Sequence, residues 1–141
     1  MLQKTTIYNL HNHQKMQYKG DITFELVSKS NEKVVSKMPI TKGVLNPFGV
    51  VNASAIIWFA DATASMLLLE TNPIEGIEGM SGFPLAININ TNLMGNAKSG
   101  TFIATSTYIK KGNTVSVVNT IVKDLDGKTM ADVTSNHVVS K

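Results

Sequence analysis

The segment NPFGVVNASAIIWFADA, residues 46–62, decides how the chain folds. Its first part contains proline and glycine, which predict a loop over 42–52. Asn52 or Ser54 then supplies the N-cap of a helix that we expect to run to about Glu70. This helix carries apolar residues on nearly every side, so the rest of the chain must bury it.

Strand patterns lie on both sides of this helix. Alternating apolar and polar residues predict strands over 21–29 and 32–40, joined by the turn sequence SNEK. Four strands with short connections are predicted after the helix, as an antiparallel meander: 84–94, 101–110, 114–124 and 128–139. Residues 73–82 contain three glycines and are predicted to form a loop. Residues 1–19 are predicted to form an N-terminal arm or a short helix.

One buried helix and five or six strands require a sheet that curves around the helix. This predicts an α+β protein with the hotdog fold, in which a curved antiparallel sheet wraps a long central helix. A length of 141 residues favours a single domain over 1–141. The uncovered strand edges favour at least a dimer.

Composition and charge limit the classes of function. The chain is 43% hydrophobic and 16% charged, which is typical of a globular protein. The absence of cysteine excludes disulfides, cysteine nucleophiles and thiolate metal sites. No stretch approaches the roughly 18 apolar residues of a membrane span, and no apolar signal segment begins the chain, so we expect a cytoplasmic protein. Scattered lysines and a net charge of +3 argue against nucleic-acid binding but suit a phosphate-bearing small molecule.

Asp61 is a lone acid in the apolar helix. The helical period places four residues on one stripe: Ser54, Trp58, Asp61 and Ser65. The stripe either faces solvent, with Asp61 as a surface acid, or lines a pocket in which a partly desolvated carboxylate acts as a base or a nucleophile. In the second case Trp58 forms an apolar wall of the pocket.

Two positions before the helix are further candidates. Asn46 precedes a proline, so it either initiates a turn or belongs to a site. Asn52 is a candidate N-cap, and the unpaired backbone N–H of Ala53 can hold an oxyanion at the helix N-terminus.

The histidines indicate little chemistry. His11 and His13 can share a strand face, but no third ligand for a metal lies near them in the sequence. His137 lies in the last strand and is expected to be structural or exposed. We therefore predict no metal and no cofactor.

The spacing of Asn46, Gly49, Asn52, Ala53 and Asp61 resembles a family signature. Hotdog acyl-CoA thioesterases of the phenylacetate-degradation (PaaI-like) type carry N-x-x-G-x-x-H-G-G, followed by a short apolar helical segment that ends in an acid. The sequence DLDGKTMADVT near the end of the chain is similar to the family pattern D-x-D-G-K-x-x-A-x-x-T. The first motif is moderately specific, and the second supports the fold more than the chemistry.

The resemblance covers about residues 20–139 and implies hydrolysis of acyl-CoA thioesters to a free acid and coenzyme A. It implies that Asp61 acts as nucleophile or general base and that Asn46 positions the water or the substrate. It also implies that the backbone N–H of Ala53 polarises the thioester carbonyl. The family builds this site across a homodimer, alone or within a tetramer formed as a dimer of dimers, so the expected partners are a second copy and acyl-CoA.

Two departures from the family keep a second hypothesis open. Asn52, Ala53 and Ser54 stand where the family has His-Gly-Gly, and Ala86 stands where it has a serine or threonine. The alternative is a hotdog protein that binds acyl-CoA, or another apolar ligand, without hydrolysing it.

Substrate contacts are expected along the stripe, at the strand ends and beside the signature. The candidates are Gly49, Trp58, Ser65, Ala86, Lys98, Lys110 and Lys111. The three lysines either contact the phosphates of coenzyme A or are solubilising charges on turns. Trp58, Met66 and Phe83 either line an acyl pocket or belong to the core.

Overall fold

A computed structural model describes residues 22–69 and 83–139. The elements in these residues are β1 (Glu25–Lys29), β2 (Lys33–Pro39), α1 (Ala53–Leu68), β3 (Pro84–Leu93), β4 (Thr101–Lys110), β5 (Val115–Lys123) and β6 (Thr129–Val139), with a 3₁₀ turn at Lys42–Val44. The predicted boundaries are confirmed closely, except that β1 begins at Glu25 instead of residue 21. The predicted N-terminal arm, the pair His11 and His13, the helix end at Glu70 and the loop over 73–82 lie outside the described residues.

The six strands form one antiparallel sheet in the order β1-β2-β4-β5-β6-β3. The predicted four-strand meander is wrong for β3, which pairs with β6 at the edge of the sheet. β4 pairs instead with β2, in continuous register from Lys33–Thr107 to Pro39–Thr101. The connection between β3 and β4, residues 94–100, is longer than a tight hairpin turn, so it lets the chain cross the sheet. Only β4, β5 and β6 form a meander.

Helix α1 packs against the inner face of this sheet. Its first half contacts a cluster that includes Met38, Phe102 and Ala131, and its second half contacts Val34 and Val118. Full burial of each large apolar side chain contributes about 1.5–3 kcal/mol, so this face holds the fold together.

The outer side of α1 is only partly covered by the described residues. Phe24, in the segment before β1, packs edge-on against Trp58 with ring centroids 5.5 Å apart, and also contacts Phe59. Ala53 and Ser54 are exposed. The sequence predicts that α1 is buried on every side, but among the described residues only the side that faces the sheet is fully covered.

Asn52 is the N-cap of α1. Its side-chain oxygen accepts hydrogen bonds from the backbone N–H of Ser54 at 3.2 Å and from the Ser54 hydroxyl at 3.0 Å. Asn96 fixes the approach to this cap, because its side chain accepts a bond from the backbone N–H of Val51 at 3.1 Å and donates one to the carbonyl of Val51 at 2.8 Å. The start of the helix is thereby tied to the connection between β3 and β4.

Candidate active site

Asp61 lies on α1 where the predicted stripe passes from solvent into the interior. Ser54 at one end of the stripe is exposed and Ser65 at the other is buried, with Asp61 half-buried between them. The Oδ1 atom of Asp61 is buried and has no hydrogen-bond partner among the described residues. Asp61 is therefore a partly desolvated carboxylate and not a fully solvated surface acid.

The surroundings of Asp61 change its acidity. Burial raises the pKa of the Asp61 carboxyl above its ordinary value, and the nearby charge of His137 opposes this rise. A carboxylate with a raised pKa is a stronger base than a solvated one, which favours proton abstraction from a bound water.

Asn46 holds the loop before α1. Its side-chain oxygen accepts hydrogen bonds from the backbone N–H of Phe48 at 2.9 Å and of Val50 at 3.3 Å. Gly49 in the same turn has a φ of +80°, a conformation that favours glycine, although a Cβ there would meet no atom within 4 Å. Turn chemistry thus accounts for Gly49 and for the oxygen of Asn46. The amide nitrogen of Asn46 is the part of the side chain that the turn does not use.

The N-terminus of α1 borders a cavity of about 230 Å³, lined by Val44, Asn52, Ala55 and Trp58 among others. Ala53 is the first residue of the helix, so its N–H has no acceptor within the helix. Eight residues separate Ala53 from Asp61, which is about 12 Å along a helix axis. Within one chain these two groups are too far apart to act on one thioester carbonyl.

The three candidate lysines do not form one cluster within a chain. Lys98 precedes β4, whereas Lys110 and Lys111 lie at the other end of this strand. Ten strand residues span about 33 Å. Lys111 lies over the ring of Tyr108, with Nζ 5.6 Å from the ring centroid. A single coenzyme A can meet both groups of lysines only along an extended path or across two chains.

The remaining predicted contact residues are spread around the helix and the β3 edge. Ala86 lies on β3 directly opposite His137 of β6. Ser65 is buried, and Met66 packs against the cluster under the second half of α1. Phe83 is half-buried immediately before β3. Ala86 and Ser65 therefore lie on the side of Asp61, whereas Trp58 lies beside the N-terminal cavity.

The sequence interpretation left His137 open, and the structure assigns it to the interior. Its side chain is 1% exposed. The signal was present in the strand pattern, because Ala131 and Val133 face the core and the two-residue period places Ser135 and His137 on the same face. Of the two predicted alternatives, a structural or an exposed histidine, the exposed one is therefore wrong.

Residues 22–69 and 83–139 contain neither a candidate metal cluster nor a membrane-spanning helix. Within those ranges no group of three or more His, Asp or Glu side chains is placed to hold a metal ion. None of the helices described there is long and apolar enough to cross a membrane.

Comparison with known structures finds similar folds at low sequence identity. A mutant of a thioesterase from Staphylococcus aureus matches with a TM-score of 0.73 at 22% identity, over 84% of this chain and 93% of that chain. A thioesterase from Haemophilus influenzae matches with a TM-score of 0.70 at 19% identity, over 82% and 77%. A hypothetical thioesterase from Streptococcus pneumoniae, solved with coenzyme A, matches with a TM-score of 0.70 at 13% identity, over 83% and 88%.

These likenesses show the fold. No protein-family model matches the chain, and no curated protein matches it significantly. The single helix on a curved, six-stranded antiparallel sheet is the hotdog fold, as the sequence predicts.

Proposed function

We propose that the chain hydrolyses acyl-CoA thioesters, with Asp61 as the working carboxylate. The observation that carries the proposal is the half-buried Asp61, whose Oδ1 has no hydrogen-bond partner among the described residues. Leaving a buried polar atom unpaired costs about 1–3 kcal/mol, so a position that only stabilises the fold is better filled by an apolar residue. The structural neighbours named as thioesterases support this class of reaction.

The proposed chemistry uses Asp61 in one of two ways. As a general base it takes a proton from the water that attacks the thioester carbonyl, the C–S bond then breaks, and the coenzyme A sulfur is protonated. As a nucleophile it attacks the carbonyl, the C–S bond breaks and coenzyme A leaves as a thiolate that is then protonated, and water hydrolyses the resulting mixed anhydride to the free acid and Asp61. In both cases the N–H of Ala53 stabilises the negative oxygen of the tetrahedral intermediate, aided by the positive end of the helix dipole.

The proposed site needs two copies of the chain, because Ala53 and Asp61 of one helix lie about 12 Å apart. We propose that the partner is bound through β3. This strand has ten residues and no charge, and its apolar side chains are exposed: Leu85, Ile87, Ile89 and Leu93. Its outer edge pairs with no strand among the described residues.

The opposite edge of the sheet is shorter and charged. β1 has five residues and carries Glu25 and Lys29. Short and charged edge strands resist pairing with another chain. The β3 edge is thus the one suited to a second copy, and α1 contacts β3 and β6 as well as β2, β4 and β5. A dimer of such dimers is the extension of the same proposal.

The test is a panel of aliphatic and aromatic acyl-CoA substrates, assayed for release of free thiol by the purified chain. The proposal expects steady thiol release from at least one substrate class, and no dependence on added metal. Calorimetry with the same panel detects binding. Binding without release across the panel would contradict the proposal and establish the non-catalytic binder, for which the turn role of the Asn46 oxygen is the favouring observation.

A further inference from the structure

His137 is a buried histidine with one nitrogen satisfied and the other not. It lies on the core-facing side of β6, where its Nε2 is 2.7 Å from the hydroxyl of Ser135. Its Nδ1 is buried and has no hydrogen-bond partner among the described residues. A polar ring atom in this state requires an explanation, because it forfeits its bond to water on folding.

Packing places the unpaired carboxylate of α1 beside this histidine. Ala64 of α1 belongs to the same apolar cluster as Val118 of β5, and Val118 lies directly opposite Ser135 in the sheet. Asp61 precedes Ala64 by nearly one helical turn, and its buried Oδ1 has no partner among the described residues. An unpaired carboxylate oxygen and an unpaired imidazole nitrogen thus lie in the same part of the interior.

The contact with Ser135 is compatible with both neutral tautomers of His137, because the hydroxyl can donate to Nε2 or accept from it. In a neutral imidazole one nitrogen donates and the other accepts. When the Ser135 hydroxyl donates to Nε2, the proton of His137 resides on Nδ1. Nδ1–H is then a donor without an acceptor, and Asp61 has an unused acceptor in the same part of the interior, so the three groups are chemically complementary.

We propose that His137 is a positioning residue for Asp61: its Nδ1–H, held by Ser135, orients the carboxylate and keeps it ionised. The catalytic role of His137 rests on the proposed thioester hydrolysis, whereas its coupling to Asp61 does not depend on that activity. Ser135 acts one step further away, through the orientation and tautomer of the imidazole.

The acidities of the two groups support this coupling. Burial lowers the pKa of His137, and the charge of Asp61 raises it. Burial raises the pKa of Asp61, and the charge of His137 lowers it. Each group therefore opposes the effect of burial on the other, so their titrations are expected to be coupled.

Other charged groups of the described elements lie away from this pair. β3 has none, and α1 has only Asp61. Asp132 of β6 faces the opposite side of the sheet and accepts a hydrogen bond from Asn119 at 2.7 Å. The remaining charged residues on the strands that pack against α1 are exposed or face outward: Lys33, Lys37, Lys110 and Lys123. Asp61 is thus the one charged partner for His137 among the described residues of these elements.

Two substitutions of His137 distinguish a role in positioning Asp61 from a role in filling space in the core. In His137→Asn the side-chain amide can present an N–H near the place of Nδ1, whereas in His137→Gln it reaches the place of Nε2 and leaves Asp61 without a donor. We expect the acid limb of the kcat/KM profile, measured with the acyl-CoA that the parent hydrolyses best, to stay in place for Asn. For Gln it should move to higher pH, with a loss of about tenfold at about pH 5 and a smaller loss at about pH 8. Equal profiles for Asn and Gln, at matched melting temperatures, would overturn the proposal.

A titration without substrate tests the coupling even if the chain hydrolyses nothing or a His137 variant does not fold. The ring carbons of His137 are followed by NMR against pH in the parent and in Asp61→Asn. Removal of the neighbouring carboxylate is expected to lower the pKa of His137. An unchanged His137 titration contradicts the inference, whereas a shift together with an inactive parent supports the coupling and rejects only the proposed function.

Discussion

Two pairs of polar side chains lie in the core, and they differ in whether their hydrogen bonds are satisfied. On β4 and β5, Ser106 and Thr120 are opposite each other, fully buried, with their hydroxyl oxygens 2.6 Å apart. Between α1 and β6, the buried atoms Oδ1 of Asp61 and Nδ1 of His137 have no partner among the described residues. Both pairs interrupt an apolar core, but only the second contains groups that titrate.

The stability of the fold is compatible with the first pair, whose hydroxyls bond to each other. It does not explain the second pair, whose buried atoms lack hydrogen bonds. A buried hydroxyl pair exchanges its bonds to water for a mutual bond, so its net effect on stability is small. A buried carboxylate without a hydrogen bond lowers stability. We infer that Ser106 and Thr120 serve the core, and that Asp61 and His137 serve chemistry at the β3 side of the molecule.

The largest expected effect on assembly comes from closing the β3 side to a partner. Ile87→Lys places a charge on an edge residue that is 58% exposed, and like charges then meet at the symmetric interface. We expect the proposed dimer to dissociate in analytical ultracentrifugation and thiol release to fall on the order of a hundredfold, because in the proposed site Asp61 loses the oxyanion donor of the other chain.

Leu125→Lys is the matched control for this prediction. Leu125 is 71% exposed but lies in the turn between β5 and β6, away from the β3 edge. This variant is expected to keep the association state and the activity of the parent. Dissociation in Leu125→Lys as well, or a fully active monomeric Ile87→Lys, would contradict the placement of the interface.

A smaller effect is expected when one member of the satisfied pair is removed. Thr120→Val leaves the shape of the side chain but strands the Ser106 hydroxyl, so we expect the free energy of unfolding to fall by about 1–3 kcal/mol. Adding Ser106→Ala should restore most of this loss. Denaturant unfolding of both single variants and the double variant gives the coupling, and thiol release per folded molecule should be unchanged in all three.

The smallest effect, with the opposite sign, is expected at Asp61. Because burial raises its folded-state pKa, the stability this group contributes is fully present below its unfolded pKa and is lost as the pH rises through the folded value. Asp61→Asn should therefore melt a few degrees above the parent at neutral pH. The gap should close as the pH falls toward the ordinary aspartate range. Thermal melts across this pH range check it, and a destabilised Asp61→Asn at neutral pH would show that the contacts of the carboxylate outweigh the cost of its burial.

Local periodicity was sufficient to predict most elements of the fold. The stretch around Asn52 predicted the start of α1, and alternation with turn residues predicted five of the six strands to within about two residues. The position of β3 was missed, because the pairing of a strand depends on which distant edge is free and not on its own pattern. The residues between β3 and β4 form a short polar connection. Such a connection occurs both in hairpins and in crossovers, so it does not distinguish them.

Candidate site residues could be named from the sequence, but their arrangement in space could not. The stripe through Asp61 was readable from helical spacing, and the inward face of His137 was readable from the period of β6. Whether they meet depends on how α1 is rotated on the sheet, which packing decides. The distance between Ala53 and Asp61 follows from helix geometry alone. The exposed β3 edge, where we propose that a second chain binds, becomes apparent only in the structure.

The most direct test of the central claim compares thiol release from acyl-CoA by the parent, Asp61→Asn and Thr120→Val at equal folded concentration. Asn has the shape of Asp but accepts no proton and is a poor nucleophile, so the account predicts a loss of about 10²–10⁴-fold in kcat for Asp61→Asn. Thr120→Val should retain parental kcat. Parental turnover by Asp61→Asn would contradict the assignment of Asp61 as the working carboxylate.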